Sequence, residues 1–436
     1  MARARKTKQT KSKENNKTGD FNMKNLVGAC MFGQSGGPTS VINSSAAGVF
    51  TEALKQGNIT AVYGAEHGIV GILNEKFFDM SKEDPRELEL LKYTPSSALG
   101  SARYKLKDAS VDDTDYKRIL EVFKKYDIRY FFYNGGNDSM DTCNKISKYM
   151  QSVGYECNVI GVPKTIDNDL YGTDHCPGFA SAAKYIATTI MEVNLDAKVY
   201  DFGCVCIIEA MGRNAGWLTA AAKLANHKGA GADLIYLPEV PFDVDQFVED
   251  VKGVCAKNNN KCIAVVSEGI KDKDGRYISE GKAGANDGFG HAQLGGLAAR
   301  LASIIKEKLN VKVRPIELSL MQRCGAHLAS KQDVEEAFAA GAFAVKSACE
   351  GETDKMVIFE RDMTSGEYKC NCVLMPLELA ANTEKTVPLE WITDNGTGIS
   401  DDFVEYALPL IQGDAKAPLE DGLPRFARLK KVYAGK

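Results

Sequence analysis

The heptapeptide PKTIDND, residues 163–169, places Lys164 and Thr165 just ahead of Asp167, Asn168 and Asp169. Such a density of polar groups in one loop seldom serves packing. A carboxylate beside a substrate hydroxyl can take its proton as that oxygen attacks phosphorus, while a lysine neutralises charge on the transferred group. The bland alternative is an acidic loop with a solvated lysine, and the choice depends on what else lies nearby.

Three further stretches end apolar runs in the same way: GQSGGPTS (33–40), GGNDS (135–139) and MGRNAG (211–216). Gly36 and Gly37 allow backbone N–H groups to approach a phosphate where a helix starts near Ser40. Asn137, Asp138 and Ser139 suit a hydrated Mg²⁺ carried in with phosphates, or else an Asx turn. Arg103, Arg213, Arg314 and Arg323 each sit in or beside a glycine-rich or polar loop, and arginine grips phosphate through a bidentate fork. The five histidines show no metal spacing. The triplet Asp201-Phe202-Gly203 lacks the companion motifs of a protein kinase.

These loops need strands to present them. Short apolar runs at 26–32, 129–136, 158–163, 204–210, 232–238 and 262–269 are each followed by a turn, and helical stretches at 179–195, 215–227, 292–309 and 333–348 interleave with them. Runs that are apolar on both faces suit parallel strands covered by helices. The expected class is α/β, with doubly wound parallel sheets whose ligands gather at the carboxyl ends of the strands. A length of 436 residues implies two domains.

Composition narrows the partners. A net charge of −4 gives no global attraction to nucleic acid or an anionic membrane, so anions must be held by a local site. No apolar stretch approaches the about 18 residues of a membrane span, and no secretory signal opens the chain, so a cytoplasmic location is expected. The twelve scattered cysteines read as reduced thiols. Residues 1–24, rich in lysine and arginine, read as a disordered basic tail.

At SGG (35–37), GSAR (100–103), GGNDS, PKTIDND, MGR (211–213), SEG (267–269) and QR (322–323) the sequence closely resembles the phosphofructokinase family, in order and spacing over roughly residues 26–330. The resemblance implies two doubly wound, Rossmann-like domains with the active site in the cleft between them. One is a phosphoryl-donor domain (25–178 with 322–388) and the other a sugar-phosphate domain (179–321 with 389–436). It implies that Asp167 is the base for the 1-hydroxyl of fructose 6-phosphate, that Asp169 supports it, and that Thr165 contacts the transferred phosphoryl group. Met211, Gly212 and Arg213 match the sugar-binding and transition-state segment, and Glu268 the carboxylate on the sugar hydroxyls. Arg314 and Arg323 match the clamp on the 6-phosphate, part of which a neighbouring subunit supplies; a homo-oligomer, dimer or tetramer, follows. Gly37 and Arg103 match donor contacts.

Two positions choose the donor. ATP-using members typically have glycine where Asp138 stands, and a carboxylate there opposes a nucleotide's α-phosphate. Lys164 likewise replaces a frequent glycine and can neutralise a diphosphate. The pair resembles the pyrophosphate-dependent branch, which implies reversible transfer from diphosphate to fructose 6-phosphate with Mg²⁺. An ATP-dependent enzyme and a non-catalytic regulatory subunit are the alternatives. Asn137 stands where many members carry a Mg²⁺-linked aspartate, Leu320 replaces a sugar-contacting histidine, and Cys204 replaces an arginine of the bacterial ATP enzymes' clamp.

Overall fold

The computed structural model describes residues 26–279, 294–380 and 384–435. The basic tail and His291 lie outside them. Its main strands, in chain order, are β1 (Gly28–Gln34), β2 (Ile59–Ala65), β3 (Phe77–Asp79), β4 (Ile128–Gly135), β5 (Asn158–Pro163), β6 (Cys204–Ala210), β7 (Leu234–Tyr236), β8 (Lys261–Ser267), β9 (Val313–Glu317), β10 (Lys355–Asp362) and β11 (Lys369–Pro376). They form two sheets, ordered β11-β10-β5-β4-β1-β2-β3 and β7-β8-β6-β9. Strands β1, β5 and β6 are buried along their whole length, and β4 everywhere but at Arg129, as continuous apolar runs require.

Both sheets are parallel at their centres, but the larger one carries antiparallel strands at its edges: β3 beside β2, and β11 beside β10. Residues 349–369, polar in most of their sequence, contain the whole of β10 and the turn into β11, neither among the apolar runs picked out above. The reason lies in β11, KCNCVLMP, which leaves most of its residues partly or fully exposed. An edge strand of that kind mixes polar and apolar residues and gives no apolar run.

The helices that matter here are α1 (Ile42–Ala53), α2 (Asn137–Ser152), α3 (Phe179–Lys198), α4 (Leu297–Leu309), α5 (Lys331–Cys349) and α6 (Asp402–Ala407). The stretch at 292–309 becomes helical at Leu297, after Gly295 and Gly296 with φ of +150° and +78°. Ten of the twelve residues of α1 are buried. Its outer face meets α5 almost backbone to backbone: a Cβ on Gly48 would lie 2.1 Å from the Phe338 carbonyl oxygen, and one on Gly341 2.1 Å from that of Ser45. No larger residue fits either position without separating the helices.

The last segment departs from the grouping the resemblance implies. Residues 402–407 pack in the core beside the smaller sheet, where Phe403 joins Phe179 and Trp217. Residues 425–434, in contrast, return to the larger sheet. The backbone N–H groups of Lys430 and Lys431 donate to Glu83 (both 2.7 Å), that of Ala427 to Thr94 (2.8 Å) and that of Ala434 to the Phe77 carbonyl (2.9 Å). Acidic side chains on the larger unit thus satisfy an extended strap that has no ladder of its own.

Candidate active site

In each sheet the order of strands reverses beside its first strand, between β1 and β4 in the larger and between β6 and β9 in the smaller. A crevice opens at such a switch point. The two crevices face one cleft of about 1530 Å³. From the larger sheet come Gly37 after β1, Asn137 and Asp138 after β4, and Lys164, Thr165, Asp167 and Asp169 after β5. From the smaller come Met211 and Arg213 after β6 and Glu268 after β8, while Arg103 and Arg323 arrive on loops or short turns.

The base loop is tightly constrained. The Asp167 N–H donates to Thr165 Oγ1 (3.1 Å), and the Asn137 amide donates to Asp169 Oδ2 (3.0 Å). Burial pushes the Asp167 carboxyl up, against the pull of Lys164, Arg213 and Arg103. Burial, with Asp167 and Glu384 adding negative charge, pushes Asp169 up to about 7. Glu268 is pushed to about 7 by burial first and Asp167 second. Three carboxyls crowded into one poorly hydrated place is an arrangement suited to moving a proton near neutrality.

Lys164 is buried, and its ammonium donates to the Gly37 carbonyl at 2.7 Å. Burial lowers its pKa to about 8, with Asp167 and Asp169 opposing that shift. Gly37 sits close under two arginines: a Cβ there would lie 3.1 Å from the Arg323 guanidinium and 3.7 Å from that of Arg103. The guanidinium of Arg103 is in turn lowered, by burial and then by Arg213 and Arg323. Cations from four parts of the chain therefore converge on one region of the cleft.

Asp138 occupies the first turn of α2, where the helix dipole favours an anion. Its carboxylate lies 3.8 Å from the Lys105 ammonium, a residue that sequence reading passed over. The expected barrier to a nucleotide is thus partly neutralised, and it is as much an occupied anion site as a repelling charge.

On the opposite wall the Gly212 N–H donates to Glu268 Oε1 (3.4 Å), and Ser267 Oγ donates to the Gly212 carbonyl (2.5 Å). Gly212 does not itself line the cleft; it joins the two loops that do. Three other residues, of which only Gln322 was quoted in a motif above, complete the enclosure. Glu209, at the end of β6, accepts the Ala298 N–H (2.8 Å). Gln322 accepts from the Met211 N–H (3.1 Å). Glu384 accepts from Asn214 (3.1 Å) and adds negative charge beside Asp169. Glu209 ends an apolar run and could have been noticed; Glu384 lies far along the chain and carried no signal.

Arg314 is the exception. It sits on the edge strand β9 in register with Cys206, four residues before the end of β6, which is about 13 Å from the cleft at the usual rise. Exposed, it lies 3.7 Å from Asp196, so this chain's own cleft lacks it. Cys204, at the far end of β6, is also remote, whereas Leu320 lines the cleft. His175 is hydrogen-bonded through both ring nitrogens, to Asp174 and to Glu336 (each 2.8 Å), which leaves neither nitrogen for the nearby Cys370 and a metal.

The sequence profile of the family described as Phosphofructokinase matches residues 30–364. The chain belongs to the phosphofructokinase family. Among curated relatives, it is similar to the pyrophosphate–fructose 6-phosphate 1-phosphotransferase of Xanthomonas campestris pv. campestris, with 44% identity over 94% of this chain and 98% of the relative. The protein of the same name from Halomonas elongata is 43% identical over 92% of this chain and 96% of its own. Of solved structures, the pyrophosphate-dependent phosphofructokinase of Nitrosospira multiformis superposes with a TM-score of 0.85 at 41% identity, covering 94% and 98% of the two chains. Phosphofructokinase membership accounts for two facing α/β units and a polar cleft between them. All twelve cysteines are free thiols, and no described helix is long and apolar enough to cross a membrane.

Proposed function

We propose that this phosphofructokinase transfers a phosphoryl group from diphosphate to the 1-hydroxyl of fructose 6-phosphate, reversibly, giving fructose 1,6-bisphosphate and phosphate. The carrying observation is the pair that selects the donor: Asp138 fills the anion-binding end of α2, and the Lys164 ammonium is held on Gly37 where a small donor would lie. The names of its relatives support the same donor and acceptor.

In this reading Asp167 takes the proton of the 1-hydroxyl as the oxygen approaches phosphorus. Lys164, Arg103 and Arg213 balance the charge of the transferred group, Thr165 orients it, and Asp169 keeps negative charge beside the base. Met211 and Glu268 hold the sugar, and Arg323 its 6-phosphate. Such chemistry is largely a matter of position and charge.

A divalent cation, Mg²⁺, fits beside these groups. Asn137 Oδ1 is buried with no hydrogen-bond partner among the described residues, while its Nδ2 is fixed on Asp169. An orphaned amide oxygen next to carboxylates is the hard-oxygen donor set that Mg²⁺ prefers. Asn137, Asp138 and Asp169 would hold it, and when bound it would neutralise charge on the diphosphate oxygens.

Exposed Arg314 supports an oligomer. It lies on an edge strand near other exposed apolar side chains, Leu195, Val199 and Phe202, so it is placed to serve the 6-phosphate of a neighbouring subunit. Of the two possible assemblies, dimer and tetramer, light scattering on purified protein discriminates. A cytoplasmic setting agrees with twelve free thiols.

The deciding experiment is a paired assay with diphosphate and ATP, magnesium and fructose 6-phosphate. Brisk turnover with diphosphate and little with ATP is expected; the reverse overturns the donor assignment. Asp138→Gly then opens the end of α2, and kcat/KM for ATP is expected to rise at least tenfold, since a like-charge contact of this kind costs several kcal/mol. Unchanged ATP kinetics would remove Asp138 from donor selection.

The pH dependence follows from the two opposite shifts. The carboxyls are raised, so activity falls as pH drops through about 7 and they take up protons. Lys164 is lowered, so its charge is lost as pH climbs through about 8. A narrow bell in kcat/KM for diphosphate is expected, its limbs belonging to the coupled set rather than to single groups. Lys164→Arg keeps its charge and should move the alkaline limb upward by more than one pH unit; a limb that stays in place assigns it to another group.

A further inference from the structure

The turn that begins between the two cleft aspartates, Asn168 to Cys176, is braced from behind by side chains of the last third of the chain. Asn168 itself is fully buried with φ of +56°. Its Oδ1 accepts the Cys176 N–H (2.9 Å), and its Nδ2 donates to the Tyr406 hydroxyl (2.8 Å), which in turn donates to the Asp174 carbonyl (2.8 Å). Lys385 reaches the same turn twice: its N–H donates to the Asp169 carbonyl (2.8 Å) and its Nζ to the Asp174 carbonyl (2.7 Å). Arg361 forks onto the Asp174 carboxylate and also donates to the Tyr406 carbonyl (2.9 Å).

We propose that Tyr406, on α6, is a positioning residue for the reaction: its hydroxyl holds Asn168 left-handed, and so sets the angles at which Asp167 and Asp169 present their carboxylates. The left-handed region is unfavourable for any residue but glycine, and asparagine tolerates it chiefly when its side chain is locally bonded. Here both ends of the amide are fixed, one by the turn and one by Tyr406. Since Asn168 lies between the two aspartates, a change in its backbone angles swings both of them. The Tyr406 ring does not line the cleft. It is wedged against Trp217 (5.2 Å between centroids) and Trp391 (5.8 Å), with the Arg361 guanidinium 4.9 Å above it, so the hydroxyl is delivered from a rigid base. A displacement of about 1 Å at a reacting group is enough to lower a rate about a hundredfold.

The test compares two tyrosines of one network. Tyr406→Phe keeps the ring and removes the bond to Asn168. Tyr368→Phe removes a hydroxyl that donates to Glu336 Oε1 (2.7 Å), on the far side of the network and without contact to Asn168. Tyr406→Phe is expected to lower kcat about 10- to 100-fold with both KM values within about threefold, and to speed amide hydrogen exchange across 165–176. Tyr368→Phe is expected to lower Tm while kcat stays within twofold. Wild-type kcat in Tyr406→Phe, or an equal loss in Tyr368→Phe, overturns the assignment. The kinetic arm rests on the proposed reaction, but the exchange arm does not. If the parent enzyme turns over no diphosphate, that reading of function fails, and positioning is then decided by whether 165–176 loses protection in Tyr406→Phe alone; unchanged exchange refutes it.

Discussion

Replacing Asp167 by asparagine is expected to lower kcat by about three orders of magnitude, with both Michaelis constants within a few-fold of the parent values. The substitution keeps the size of the side chain and its place after Thr165, whose Oγ1 accepts the Asp167 N–H. What it removes is the basic oxygen. Burial already holds this carboxyl above its ordinary range, and Lys164 and Arg213 oppose that shift. An amide there relieves the crowding with Asp169 and Glu268, so the variant should be at least as stable as the parent above pH 7. Inactivity combined with an unchanged or higher Tm is therefore the signature of a lost base. A variant that retains a tenth of its activity would move the role to Asp169; one that fails to fold would make the loop structural.

Lys164→Met is expected to lower kcat/KM for diphosphate by two to three orders of magnitude while KM for fructose 6-phosphate hardly moves. A unit charge about 4 Å from its partner is worth about 4 kcal/mol at the effective dielectric of such sites. That corresponds to roughly a thousandfold. Methionine follows the path of the lysine stem but cannot donate to the Gly37 carbonyl. The reverse reaction, from phosphate and fructose 1,6-bisphosphate, should lose a similar factor, because a catalyst cannot change the overall equilibrium. Equal damage to the kinetics of both substrates would point to a collapsed cleft instead.

Much of this site was legible in the sequence because its parts sit directly after buried strands. Runs such as FFYNGG and VIGVP are read as buried strands, and the polar residues that follow them line the cleft. Signals of another kind were weaker. Lys105 and Glu384 reach the cleft from loops with no apolar run before them. Tyr406 acts through a backbone angle at Asn168, and such angles leave no trace in composition. Strand β11 was missed because it lies at the sheet edge with most of its residues partly or fully exposed, and β10 because only four of its eight residues, Met356 to Phe359, form a buried apolar run. Arg314 was assigned by resemblance to a phosphate clamp, yet its strand register puts it at the outer edge of the smaller sheet. The motif match carried no information on which side of the sheet that strand lies.

The crossing of α1 and α5 at Gly48 and Gly341 bears on how the chain is made. Helix α1 belongs to its first tenth or so, but the helix that covers it ends at Cys349, and β10 and β11 follow later still. During synthesis the first α/β unit therefore leaves the ribosome with an uncovered apolar helix and an open strand edge, and it must wait for the whole second unit before it can close. Premature termination near residue 320 should yield an insoluble fragment rather than a small stable domain, and nascent chains of that length are natural clients for chaperones.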